Sequence, residues 1–285
     1  MRRLTLSALG SLTLSVWVSV CGCQKSSAQS AAKAKLHVEL LSKAAATDVD
    51  EIRNGLPKGA PLMASVFAPG KTPTEDPAAA REALNSVRSK IQDLRLAKST
   101  FFAITDASGL VLRNDQEQDA MAGKNLFQAF PELRSALGGK YTESRGSLPE
   151  AAGVLGRPDA QWVAAMPIAV EGESKGLYVT GWSWSSYAYR LENQLRSEVR
   201  SEAGDKGKMP LVYVFVEVAD GVYGAPISPD VNARAVRDHA PVSKLQGEAV
   251  LTVELEIEGR DFGLAARRVP ALGSDVAIAV LRSET

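Results

Sequence analysis

The chain has 285 residues, with 33 basic and 33 acidic side chains, two histidines and two cysteines. That charge balance leaves no electrostatic footprint for nucleic acid. Both cysteines lie at positions 21 and 23, so nothing further along can form a disulfide, and neither histidine has a second His or Cys at metal-ligand spacing.

Met1-Arg2-Arg3 followed by an apolar or small run from Leu4 to Val20 reads as an export signal. A run of about 17 residues is near the lower limit for crossing a bilayer, so a signal anchor is the competing reading. Against it, only Lys25 follows as a basic flank, and the run ends in Val20-Cys21-Gly22-Cys23. This end resembles the lipobox of bacterial lipoproteins. Cys23 has an aliphatic residue three before it and a small one directly before it, whereas Cys21 is preceded by Val20. The resemblance implies cleavage between Gly22 and Cys23 and a diacylglyceryl group on the Cys23 thiol. An ordinary secretory signal with incidental cysteines is the bland alternative. Gln24 stands where enteric lipoproteins retained at the inner membrane carry Asp, which favours the outer membrane in a host that has one. Without residues 1–22, the body of about 260 residues keeps 31 basic against 33 acidic side chains, a net charge of −2. It is long enough for one large or two ordinary domains.

After the signal (1–22), residues 23–35, rich in Ser, Ala, Gln and Lys, read as a flexible tether. A helical region is expected over 36–98. Its first helix runs from about Ala31 to Arg53, with Leu36, Leu40, Leu41 and Ala44 on one stripe. The stretch from Asn54 to Pro77 holds five prolines and is expected to form no regular element. Asp76-Pro77 then opens a helix reaching Lys98, with Asp as cap and Leu84, Val87, Ile91 and Leu94 as its apolar stripe.

The period changes at Phe101. Phe101 to Thr105, a turn at Asp106-Ala107-Ser108-Gly109, and Leu110 to Leu112 read as strand, turn, strand. A short helix interrupted by Pro131 covers Asn125 to Leu137. Strands are expected at Trp162–Val170 and Leu177–Trp184, and a helix at Tyr187–Ala203. From Leu211 the order repeats: strand to Val218, turn, Val222-Tyr223, a helix at Asp230–His239, and strands at Val250–Ile257, Phe262–Val269 and Val276–Leu281. These periods divide the body into units at 99–203 and 209–285. The fold class is α+β: long N-terminal helices, then one or two antiparallel sheets with flanking helices.

The run Phe101 to Arg113, with Ala122-Gly123-Lys124-Asn125-Leu126 after it, resembles the opening of a Cache domain. Trp162 to Ile168 and Gly176 to Thr180 are similar to that family's later strand pair. The likeness covers roughly Ala78 to Trp184, and the second half extends it to a tandem, double-Cache-like arrangement. Cache domains are PAS-like sensor modules outside the bacterial cytoplasm. The resemblance implies small-ligand sensing, with an envelope or sensor-kinase protein as signalling partner. No phosphate-binding glycine loop and no His-Glu-x-x-His occurs, so neither enzymatic activity nor a cofactor is expected. The arginine- and tyrosine-rich signature of amino-acid-binding members is not found here.

His37 and His239 are expected in a helix and a loop, and Asp115, Glu117 and Asp119 lack the Gly and Glu that would complete a Ca²⁺ loop. Tyr178, Thr180, Trp182 and Trp184 share one strand parity, so they leave one face of the sheet. Such a face suits a small-ligand pocket, with Trp162 joining and Arg113 offering a fork for a carboxylate. The ligand-site candidates are therefore Arg113, Trp162, Tyr178 and Trp182. The other reading packs this face on the Pro77–Lys98 helix, the commoner fate of an aromatic stripe. A pocket of a few hundred Å³ bordered by Trp162, Tyr178 or Trp182 favours sensing. A filled interior with an exposed Leu84–Leu94 stripe favours a structural or docking lipoprotein.

Overall fold

One helix carries the whole molecule. The structure, a computed structural model, describes residues 21–68, 73, 75–148, 159–203 and 208–284. Helix α1 runs Cys21–Gly59. At 1.5 Å per residue its 39 residues span about 58 Å, enough to lie across two domains. Its buried stripe is Ala34, Val38, Leu41, Ala45, Val49, Ile52 and Leu56. Leu36 and Leu40, expected on that stripe, are 64% and 40% exposed. The N-terminal part of the seam is made of small residues because there the helix lies very close to the sheet beneath. A Cβ added at Gly263 would meet the Ala31 backbone nitrogen at 2.0 Å.

The same closeness overturns the expected tether at residues 23–35. Ser27, Ser30, Ala31 and Ala34 are buried in α1, and Ser27 Oγ donates to the Glu254 carboxylate. Small side chains read as a linker are here what lets backbone approach backbone. Residues 1–20 of the expected export signal (1–22) lie outside the described residues.

The proline-rich stretch is also more regular than expected. Pro57 sits inside α1, and a 3-10 helix covers Ala60–Phe67 with Pro61 in its first turn. Pro57 sits in the last turn, so the lost ladder bond and any kink from its ring fall where the helix ends anyway. Helix α2 (Pro77–Lys90) is capped as expected, the Ala79 amide donating to Asp76 Oδ1 at 3.0 Å. It stops at an extended Ile91, and a separate α3 (Gln92–Leu96) follows, so Pro77–Lys98 is two helices. The break seats Leu94 against Gly55, whose missing side chain makes the room: a Cβ there would lie 2.5 Å from Leu94 Cδ2.

The first sheet comprises β1 (Phe101–Asp106), β2 (Val111–Asn114), β3 (Thr142–Leu148), β4 (Asp159–Val170) and β5 (Glu173–Ser183), in the order β2-β1-β5-β4-β3. All pairs are antiparallel. Asp106 fixes the first hairpin: its Oδ1 accepts from the Ser108 and Leu110 amides at 2.8 and 3.0 Å. Asn125 caps a short α4 (Leu126–Ala129), and a 3-10 segment covers Pro131–Gly138. Strand β3 was not expected, since its polar sequence shows no apolar alternation. It is an edge strand, held by one neighbour only.

Helix α5 (Trp184–Ala203) leads to the second sheet. This comprises β6 (Leu211–Val218), β7 (Gly221–Gly224), β8 (Leu251–Ile257), β9 (Arg260–Arg268) and β10 (Val276–Ser283), with α6 (Asp230–His239) beside it. Its order, β7-β6-β10-β9-β8, repeats the first. The α+β reading holds, with two sheets. One core lies between the helices and the inner faces of both sheets. The outer faces have their own cores, around Phe101, Phe127 and Phe130 in the first unit and Phe215, Val236 and Phe262 in the second. Among the described residues no helix is long and apolar enough to cross a membrane.

Candidate functional site

The aromatic face is a packed core. Trp162 on β4 and Trp182 on β5 are cross-strand partners, and their rings stack at 4.5 Å. Tyr187 of α5 stacks on the other side of Trp182 at 4.4 Å. Tyr178 stands apart from that pile and stacks on Phe102 at 5.8 Å. Each of these rings is at most 1% exposed. Trp184 is not on the strand at all; it opens α5. Trp162, Tyr178 and Trp182 thus take the packing role under α1 and its neighbours, and the expected pocket on that face is filled. The Leu84–Leu94 stripe is likewise inside, with Leu84, Val87 and Leu94 buried.

Arg113 is not brought to these rings. Its guanidinium pairs with Asp119 at 3.0 Å and donates to the Gln116 carbonyl at 2.9 Å, folding its own loop. Asp119 also accepts from the Asn114, Met121 and Ala122 amides. Asp115 accepts from the Phe102 amide at 2.9 Å and pairs with Arg88 at 3.2 Å. The acidic loop is therefore an internal brace, and among the described residues no group of three or more His, Cys, Asp or Glu could hold a metal ion.

Two further polar clusters bind α1 to the units. Asp48 receives the Tyr187 hydroxyl at 2.7 Å and Lys98 Nζ at 2.9 and 3.0 Å. Burial pushes the Asp48 carboxyl upward and its hydrogen-bond donors oppose that. At the other end His37 lies within 3.3 Å of Arg282 and 3.4 Å of Glu202. Burial first, then the Arg282 charge, pulls the imidazole below its ordinary range. A neutral, buried histidine beside an arginine is a structural partner here.

The open space lies elsewhere, in a groove between the two sheets of about 560 Å³. One wall is β3, from Glu143 to Gly146, with Ala160 to Trp162 of β4 behind it. The opposite wall is the β9–β10 connection at Leu272, Gly273 and Asp275, with Val218 and Tyr223 from the second sheet. Two ties cross it. Arg145 Nη1 is 2.7 Å from Asp275 Oδ1. Arg53 of α1 donates twice to Glu143, at 2.7 and 3.2 Å, and to the Ala271 carbonyl at 3.0 Å. A second cavity of about 260 Å³ shares Ala160 and Tyr223 and continues toward β7 and the start of α6. Of the expected site residues only Trp162 borders this groove. Glu143, Arg145 and Asp275 escaped sequence reading because β3 looked like loop, and their proximity depends on how the two sheets meet. A molecule in this space touches both units, so its binding bears on their relative position.

No protein-family model and no curated protein matches the sequence. Solved structures do match. A domain described as methyl-accepting chemotaxis protein X superposes with a TM-score of 0.52 at 15% identity, covering 90% of this chain and 98% of that one. The ligand-binding domain of the Pseudomonas fluorescens chemoreceptor CtaA, solved with L-isoleucine, gives 0.51 at 14%, covering 90% and 93%. The sensor domain of the V. cholerae histidine kinase DctB gives 0.50 at 14%, covering 87% and 95%. The fold is thus that of Cache/PAS-like sensor domains, with one long helix and two five-stranded sheets.

Proposed function

We propose that this chain is an exported, non-enzymatic sensing module that binds a small ligand in the groove between its sheets. It sits on the membrane through lipid on Cys23, exposed by cleavage after Gly22, with Gln24 favouring the outer membrane. Any signal passes to an envelope protein or a sensor kinase as partner. The observation that carries the reading is the groove of about 560 Å³, walled by both units and bordered by Trp162. Its volume suits a small metabolite. The fold supports the same reading, because chemoreceptor and kinase sensor domains share it and the CtaA domain holds L-isoleucine.

The second reading, a docking surface for envelope proteins, draws on Leu36 and Leu40, which stand exposed on α1. A thermal-shift screen of Gln24–Thr285 against amines, carboxylates, purines and amino acids separates the two. That fragment keeps Ser27, Ser30 and Ala31, which pack on the second sheet. A ligand at 100 times its dissociation constant adds about 2.7 kcal/mol of stability. A flat response across the panel, with Arg145→Ala no different from wild type, removes the support for sensing.

A further inference from the structure

We infer that a small doubly charged oxyanion, phosphate or a phosphate monoester, binds between α1 and the second sheet. The place is a cavity of about 220 Å³, separate from the groove of the proposed sensing site. Ser42 and Lys43 of α1 form one side, Arg267 and Arg268 at the end of β9 the other, with Glu248 at the margin. Its lining carries three cations against one carboxylate.

Two shielded donors lack partners there. Ser42 is 6% exposed, yet its Oγ makes no hydrogen bond among the described residues. Arg267 Nε is shielded and equally unpartnered, although Nη2 of the same guanidinium reaches Glu248 at 2.7 Å. Leaving such groups dry costs about 1–3 kcal/mol each, so a folded protein supplies acceptors for them. Both are donors, and an oxyanion is the acceptor that satisfies an O–H and a guanidinium N–H together.

The charges agree. Lys43 is exposed and makes no ion pair among the described residues. Among the described residues Arg268 has no carboxylate partner; its guanidinium is held by the carbonyls of Val242, Leu245 and Ser274. It therefore adds positive field without reaching out. Only Arg267 is neutralised, by a Glu248 that is 64% exposed and free to swing away. The net excess of two positive charges in the lining matches a dianion better than a monoanion. Because one side is α1 and the other is β9, the bound anion ties the long helix to the second unit.

The test titrates Gln24–Thr285 with inorganic phosphate at constant ionic strength and follows the melting temperature. Phosphate should give a saturable rise, and acetate at the same ionic strength should bind roughly tenfold more weakly or worse. Lys43→Glu should weaken phosphate by roughly tenfold or more. Ser42→Ala should weaken it about threefold or more, since it removes one hydrogen bond. Lys35→Glu, exposed elsewhere on α1, should match wild type. Lys43→Met repeats the charge loss should Lys43→Glu fail to fold. A lipid headgroup offers the same chemistry, so co-sedimentation with phosphatidylglycerol against phosphatidylcholine vesicles forms the second arm. Lys43-dependent sedimentation without an effect of free phosphate assigns the site to a headgroup. A response that follows ionic strength alone, or is the same in Lys43→Glu as in wild type in both arms, overturns the site. Failure of the ligand panel at the groove leaves this result untouched, because no lining residue is shared between them.

Discussion

Arg145 reaches from the edge strand β3 to Asp275 in the β9–β10 connection, placing Nη1 2.7 Å from Oδ1 across the groove. Both side chains are more than a third exposed, at 38% and 40%. Water and salt screen such a pair, so it contributes at most about 1 kcal/mol to stability. Its interest is positional. Asp275→Asn should leave the urea midpoint nearly unchanged, while ligand binding in the groove changes measurably because one tie across it is gone. A loss of stability well above 1 kcal/mol would mean that the pair holds the fold.

The inner clamp behaves differently. Asp48 is buried among Tyr187, Lys98 and the aromatic pile, and breaking a buried pair strands a charge. Lys98→Met should therefore destabilise the protein by roughly 3–5 kcal/mol near neutral pH. Denaturant unfolding monitored by tryptophan fluorescence checks this directly, since Trp182 stacks on Tyr187. A cost below about 1 kcal/mol would show that solvent reaches Asp48 and compensates.

Helix α1 supplies a test of register. Leu40 and Leu41 are adjacent in sequence and opposite in fate: 40% exposed against fully buried. Leu41→Ala should cost about 2–5 kcal/mol. Leu40→Ala should change stability by no more than about 0.5 kcal/mol. Equal effects would mean that another surface covers Leu40 in solution.

That pair of leucines also shows where sequence reading succeeds and stops. Element type was legible wherever a local period or a turn signal acts on nearby residues. The Asp106–Gly109 hairpin, the Asp76 cap and the Asp230–His239 helix all lie where local chemistry puts them. The α1 face was not legible, because Leu carries more weight than Ala in any apolar pattern. The true seam needs small residues to meet Gly263, more than 200 positions away. The groove was hidden for the same reason. Arg145 and Asp275 are 130 residues apart, and only the meeting of the two sheets makes them neighbours. The aromatic stripe was visible as a stripe, but what covered it was a matter of tertiary packing.

Glu217 gives the sharpest pH prediction. It stands on β6, buried, with apolar cross-strand neighbours Val222 and Ala277. Its Oε1 has no hydrogen-bond partner among the described residues, and burial alone pushes the carboxyl up to about 8. The folded protein therefore keeps a proton that the unfolded chain releases near pH 4.5. Between those values the folded state binds more protons, so stability falls as pH rises, and the full penalty is reached above about pH 8. Its size is on the order of 5 kcal/mol at most. Glu217→Gln keeps the shape and cannot ionise. Relative to wild type it should be near neutral at pH 4 and stabilising by a few kcal/mol at pH 9, in paired urea titrations that cancel every other titrating group. A difference between the two proteins that stays constant across that range would mean Glu217 is ionised and partnered in the folded state.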